Sequence, residues 1–295
     1  MADRFFVPEL DPAGPIRMTG EEAHHLAHVR RIGRGARVSL FDGSGAEWDA
    51  VVEQVGKRDV TLSVAGRQLV DRELPFTLTL ACAPPKGDRL RWLVEKATEL
   101  GVTRFVPLRT DRTEQRVRGV KAEKMRRWVI EACKQCGRNV LMELSDPVPW
   151  PKFVESLPPA LLRFLAHPLE QNSGPHTSLT RKRGEFGSVD EMTQAPLQES
   201  LPWNRGAGGP PAVSSIDKAG GPPAPRLTSG VVIAVGPEGG FTDVEVELAR
   251  QRGWSIVDLG PRALRIETAA LALVAGLTLR FPPAALSSSI PSPTS

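Results

Sequence analysis

Hydrophobic and polar positions along this chain follow two different rhythms, and the change falls near residue 74. Over Arg37–Phe41, Glu47–Val55 and Val60–Val64 apolar and polar residues alternate one by one, the period of a strand with one face buried. Asp42-Gly43-Ser44-Gly45 supplies a turn between the first two. Upstream, Thr19 is placed to cap a short helix running through His24, His25, Leu26, His28 and Val29. These features predict a small β-rich domain over residues 1–73.

From Phe76 the rhythm becomes strand, helix, strand. Phe76–Cys82 reads as a buried strand, and Asp88 can cap a helix with the apolar face Leu90, Leu93, Val94, Ala97 and Leu100, closed by Gly101. Val102–Leu108 reads as the next strand. A helix follows from about Ala122 to Gln135, ending at Gly137, then short strands at Val140–Leu144 and Ala160–Ala166. Regular structure resumes with a strand at Val231, a helix over Thr242–Arg252, a strand at Ser255–Leu259 and a last helix from about Arg265 to Phe281. Alternating strands and helices imply an α/β domain over residues 74–281 with a mostly parallel sheet.

The rhythm is interrupted once. Residues 170–230 contain 8 Pro and 9 Gly in 61 residues, with almost no apolar periodicity. Such a segment buries too little surface to offset the entropy of ordering it, so it reads as a disordered Pro/Gly-rich insertion. The Pro/Ser-rich stretch 282–295 reads as a flexible tail.

Composition adds limits. A hydrophobic fraction of 40% and a charged fraction of 24% are ordinary for a soluble globular protein. No signal peptide or membrane-length apolar run is legible, and three cysteines argue against a disulfide framework. The expected compartment is therefore the cytoplasm. Charge is uneven: residues 1–73 hold 10 Lys/Arg against 12 Asp/Glu, whereas residues 86–138 hold 15 against 7. A concentrated positive balance suits a polyanion, because each neutralised phosphate releases counterions; a solvated helical surface explains it too.

Two stretches carry the most specific chemistry. Val231–Phe241 and Leu259–Ala270 each run from an apolar strand into a Gly/Pro loop and then a helix. Ligands of open α/β sheets collect beyond the carboxyl ends of the strands, so two such loops side by side suggest one cradle. Neither has the spacing of a dinucleotide fingerprint or a phosphate-binding P-loop. Cys133 and Cys136 form a lone C-x-x-C that reads as two small residues of a helix, and His24 and His28 lack the acidic partner of a metalloprotease signature. No metal site and no nucleophilic triad is legible. Methyl transfer from a sulfonium donor needs neither, since it depends on orientation and electrostatics.

The order of motifs resembles one family. Arg4-Phe5-Phe6-Val7, then His24-His25-Leu26, then Leu40 to Gly45, Lys86-Gly87-Asp88 before Glu95 to Val102, and Glu131 to Asn139 precede the two loops. Together these residues resemble the RsmE family of RNA methyltransferases in the SPOUT superfamily. The resemblance implies a PUA-like barrel at residues 1–73 and a trefoil-knotted SPOUT domain at residues 74–281. It implies S-adenosylmethionine as cofactor, held by Ala166, His167 and Pro168, by Val235, Gly236, Pro237, Glu238 and Gly239, and by Leu259, Gly260, Pro261, Leu264, Arg265, Thr268 and Ala269. It also implies a homodimer to which the last helix contributes.

The expected reaction is N3-methylation of one uridine in 16S ribosomal RNA of the small ribosomal subunit, without metal. Expected catalytic residues are Arg138 and Arg265, stabilising the developing anion, with Asn139 and Glu238 positioning groups around it. Expected RNA contacts are Arg4, Phe5, Arg30, Arg31, Lys86, Arg112 and Arg138. Rival expectations are a non-catalytic RNA-binding protein on a methyltransferase scaffold, and a SPOUT enzyme acting on another RNA.

Overall fold

A computed structural model describes residues 3–11, 13–113, 122–168 and 230–280. The Pro/Gly-rich insertion, apart from Gly230, and the tail expected from the sequence lie outside the described residues. The first sheet has the spatial order β1-β3-β4-β5-β2, from β1 (Arg4–Phe6), β2 (Ile16–Thr19), β3 (Arg37–Phe41), β4 (Ala46–Val55) and β5 (Asp59–Leu69). Alternation along β4 buries Ala46, Trp48, Ala50 and Val52. These pack with Phe5, Met18, Leu26, Leu40 and Leu62 into one small core. Register shifts between Asp49 and Ala50 and between Val52 and Gln54 bend the long β4–β5 pair, as bulges do when a sheet curls into a barrel.

The short helix expected after Thr19 is α1 (Gly20–His24), and it widens into a π-helical turn over His25–Val29. Thr19 occupies the cap position without a side-chain hydrogen bond.

The second sheet holds seven strands in the order β12-β10-β11-β6-β7-β8, with β9 also paired to β7. They are β6 (Thr77–Cys82), β7 (Arg104–Arg109), β8 (Glu143–Leu144), β9 (Val148–Pro149), β10 (Leu162–Ala166), β11 (Gly230–Val235) and β12 (Ser255–Val257). Every pairing in it is parallel. Helices cover both faces: α2 (Asp88–Glu99), α3 (Ala122–Cys136) and α6 (Ile266–Arg280) on one, α4 (Trp150–Ser156) and α5 (Asp243–Gln251) on the other. All of Gly230–Val235 is buried, because Ile233 packs with α2 and α6 while Val232 and Ala234 pack toward Trp150 and Val246. A strand covered on both faces reads as an unbroken apolar run, which is why this segment was legible.

Differences from the expected elements have local causes. Gly87, at φ 63°, takes the cap position of α2, and Asp88 is its first residue. Only Glu143–Leu144 pair in β8, with Val140 instead bridging Ser44 of the barrel. Helix α4 was not expected; at seven residues starting Trp150-Pro151 it is too short to show a helical period.

Candidate active site

Four neighbouring strands end in register. Ala166 pairs with both Val257 and Val235, and Val235 pairs with Cys82. The loops after β12, β10, β11 and β6 therefore leave the sheet side by side at its carboxyl edge, where a parallel sheet gathers ligands. This alignment brings together three segments more than 65 residues apart in places: Ala166 to Pro168, Val235 to Gly239 and Leu259 to Ala269.

Each loop is pinned by its own chemistry. After β11, the Gly240 N–H donates to Pro237 O at 2.8 Å, closing a turn with Gly240 at φ 70°. Gly236 sits against the Phe241 ring; a Cβ there would lie 2.9 Å from it. Thr242 caps α5 through a complete capping box with Glu245. Arg112 Nη1 donates to Gly239 O at 2.6 Å and to Phe241 O at 3.4 Å, tying this turn to the end of β7. Below it, Trp150 stacks on Phe241 at 4.7 Å and donates its Nε1–H to Glu245 O. After β10, the His167 N–H donates to Val257 O. After β12, the Gly260 N–H donates to Asp258 Oδ1 at 2.9 Å, and Gly260 adopts φ 97° with open space where a side chain would be. The following stretch, residues 260–265, is exposed.

A cavity of about 550 Å³ opens beside these loops, within the range that admits a nucleotide-sized ligand. Its walls include Ala83 to Gly87 after β6, Pro107 near the end of β7, and Pro237 to Gly239 after β11. The β11 loop is thus shared: the expected cofactor loops lie on its β10/β12 side and the cavity on its β6/β7 side. Arg89, in the first turn of α2, lines that cavity. Its Nη1 stands 3.8 Å from Glu238 Oε1 and 3.9 Å from Glu267 Oε1. Glu267, at the start of α6, is 6% exposed, and its Oε2 is buried with no hydrogen-bond partner among the described residues. Burial, with a smaller push from the Glu267 carboxylate, raises the pKa of the Cys82 thiol far above its ordinary value.

Two expected catalytic residues lie elsewhere. Arg138 is 3% exposed, and each nitrogen of its guanidinium is engaged: Nε and Nη2 donate to Glu73 at 2.9 and 2.5 Å, and Nη1 to Thr98 O and Val102 O. Burial disfavours its charge, but the hydrogen bonds and charge of Glu73 more than offset this and raise its pKa. Asn139 is 2% exposed; its side chain accepts from Arg4 Nη2 at 2.6 Å and donates to Val70 O. Both are built into the joint between the barrel and the α/β sheet, and neither lines the cavity. Arg138, expected as an RNA contact too, is placed in this joint.

Arg4 and Phe5, also expected as RNA contacts, have buried side chains. Arg4 is spent on Glu47, Arg138 O and Asn139, and lies over the Phe41 ring. Phe5 is 1% exposed in the barrel core. The other expected RNA contacts are better placed. Arg30 and Arg31 are exposed, Arg30 paired with Asp3, and Lys86 and Arg112 line the cavity. Glu238 lines it as well, whereas Arg265 is exposed in the loop before α6. Arg89 and Glu267 were missed. One follows the Lys86-Gly87-Asp88 motif directly and the other lies inside the second Gly/Pro loop stretch, but nothing in their spacing shows that they face each other.

The two sheets correspond to the two parts of one class of protein, an RNA methyltransferase with a PUA domain ahead of its methyltransferase domain. A model of the RNA methyltransferase domain matches residues 72–190 and 214–278, and one of the RNA methyltransferase PUA domain matches residues 18–65. The ribosomal RNA small subunit methyltransferase E of Synechocystis is 30% identical over 270 residues, covering 91% of this chain and 75% of that protein. The protein of the same name from Bacillus subtilis is 29% identical over 276 residues, covering 91% and 93%. Among solved structures, Legionella pneumophila Lpg2936 with bound cofactor SAM superposes with a TM-score of 0.69 at 28% identity, covering 95% of this chain and 98% of that one. This chain belongs to the ribosomal RNA small subunit methyltransferase E family.

Proposed function

We propose that this protein transfers a methyl group from S-adenosylmethionine to N3 of one uridine in 16S ribosomal RNA of the small subunit. The observation that carries the reading is the in-register end of β12, β10 and β11, which sets three Gly/Pro loops around one place beside a nucleotide-sized cavity. The residues fit the cofactor. Gly260 offers backbone with open space above it, and the β11 turn approaches so closely that Gly236 admits no side chain. Ala166 to Pro168, Val235 to Gly239, and Leu259, Gly260, Pro261, Leu264, Arg265, Thr268 and Ala269 would hold it. When bound, it supplies an electrophilic methyl carbon on a sulfonium.

The chain's own residues supply placement. Arg112 fixes the β11 turn, and α5 is anchored through its capping box and Trp150, so the loop that separates cofactor from cavity is rigid. Preorganised geometry of this kind accounts for much of the rate in a displacement reaction. In this reading residues 1–73 form the RNA-holding barrel and residues 74–281 the catalytic domain. Exposed Arg30 and Arg31 on the barrel, with Lys86 at the cavity, contact the RNA backbone.

The active form is a homodimer in the cytoplasm. Helix α6 buries Ala270, Leu273, Val274 and Leu277 yet leaves Leu279 82% exposed, an apolar surface that a second copy would cover. Among the described residues no helix is long and apolar enough to cross a membrane.

Deleting the gene and mapping N3-methyluridine in small-subunit ribosomal RNA tests the reading. It predicts loss of one such modification and its return when the gene is restored. An unchanged modification pattern contradicts it.

A further inference from the structure

The N3 position of uracil carries a weakly acidic proton, and attack from N3 needs that proton gone and the resulting charge stabilised. Expected for this task, Arg138 spends four of its five N–H groups within the joint and does not line the cavity. We propose that Arg89, held between Glu238 and Glu267, is the cation that meets the target uracil and stabilises its N3 anion. The inference rests on the uridine N3 reading above.

Three features single out Arg89 among the cations lining the cavity. First, its guanidinium makes no hydrogen bond among the described residues, so its N–H groups remain available to a ligand. By contrast, Arg112 spends Nη1 on Gly239 O and Phe241 O. Second, two carboxylates stand at 3.8 and 3.9 Å, beyond hydrogen-bond range but close enough to hold the guanidinium by charge. Third, Glu267 is a buried carboxylate with an orphaned oxygen, and Arg89 is the only cation within 4.0 Å of it among the described residues. A buried charge with one distant partner is costly, and among the explanations of an unsatisfied buried polar group is a part in catalysis. Its position suits the role of a positioning residue: it holds Arg89 at the cavity wall without consuming its donors.

The chemistry balances. The N3 proton leaves to solvent, since a guanidinium stays protonated and cannot accept it. The N3 lone pair then forms the N–C bond as the methyl carbon's bond to sulfur breaks, that bond's electron pair remaining on sulfur. Through the attack, negative charge spreads over N3, O2 and O4, and a guanidinium can donate to a carbonyl oxygen in the ring plane.

Single-turnover rates of the full-length protein on small-subunit ribosomal RNA, measured across pH, test this. Arg89 is 38% exposed at its side chain, so its substitution spares the core. Arg89→Gln should lower the rate at neutral pH by about 10²-fold, the usual effect of losing one anion-stabilising donor. That deficit should shrink as the pH becomes alkaline, because uracil then ionises without help. Arg89→Lys should recover most of the rate, and calorimetric titration with S-adenosylmethionine should give the wild-type affinity for both variants. Glu267→Gln should show a smaller deficit of the same pH shape; a deficit independent of pH would remove Glu267 from the positioning role. An Arg89→Gln rate equal to wild type, or a loss constant across pH, overturns the inference. Absence of N3-methyluridine in the wild-type product instead overturns the uridine reading, and this inference with it.

Discussion

Two clusters of arginine, one in the joint between the domains and one at the cavity, are built in opposite ways. In the joint, the Arg4 and Arg138 side chains are buried and braced: Glu47, Glu73, Asn139 and the backbone carbonyls of Thr98, Val102 and Arg138 accept from their terminal nitrogens, and the Arg4 Nε has no hydrogen-bond partner among the described residues. At the cavity, Arg89 is partly exposed and its carboxylates stand too far away to bond. The same side chain is a structural brace in one place and an available cation in the other. Whether the terminal nitrogens already have partners separates Arg4 and Arg138 from Arg89, and residue type does not.

The strongest way to break that contrast is to remove the brace. Arg138→Ala removes the guanidinium that bonds both Glu73 carboxylate oxygens, and losing one partner of a buried pair costs about 3–5 kcal/mol. Urea unfolding should therefore show a large loss of stability, while the folded fraction keeps its affinity for S-adenosylmethionine. A stable but inactive Arg138→Ala protein would return the residue to the active site.

Next in size is Gly236→Ala, whose added Cβ would meet the Phe241 ring at 2.9 Å. Displacing the β11 turn by a fraction of an ångström should slow methyl transfer by up to about 10²-fold, with little loss of thermal stability. Wild-type rates would show that the turn has slack.

Acid sharpens the joint from another side. Burial raises the pKa of Glu47, but hydrogen bonds from Arg4 and Arg72 outweigh it and leave the pKa lowered. A lowered folded pKa contributes stability that is complete above the ordinary carboxylate value of about 4.3 and is lost as pH falls through the folded value. Unfolding measured below that value should lose an increment that Glu47→Gln lacks, on the order of 1 kcal/mol for a pair still open to solvent. Parallel pH profiles for the two proteins would dismiss the joint as an acid-sensitive element. Smallest of all, Thr242→Ala removes one half of the capping box of α5 and should cost about 1 kcal/mol.

Much of this architecture was legible because its signals are local. Alternation marked β4, which buries one face, and a continuous apolar run marked β11, which is covered on both. The Gly/Pro loops announced a cradle because positive φ at Gly240 and Gly260 leaves few alternatives to glycine. What escaped was pairing across the fold. Arg138 lies 65 residues from Glu73, and no periodicity shows that the two meet and neutralise each other. Arg89 and Glu267 are farther apart still, brought within 3.9 Å only when α2 and α6 pack on one face of the sheet. Candidate catalytic arginines can be collected from a sequence, but burial and partners decide which of them remains available.

The central claim is tested most directly by incubating the purified protein with small-subunit ribosomal RNA and S-adenosylmethionine bearing an isotopically labelled methyl group. Mass spectrometry of the digested RNA then locates the label. Transfer to uracil N3 puts the label on N3 of a single uridine. Label on another base, on a ribose or nowhere would contradict it.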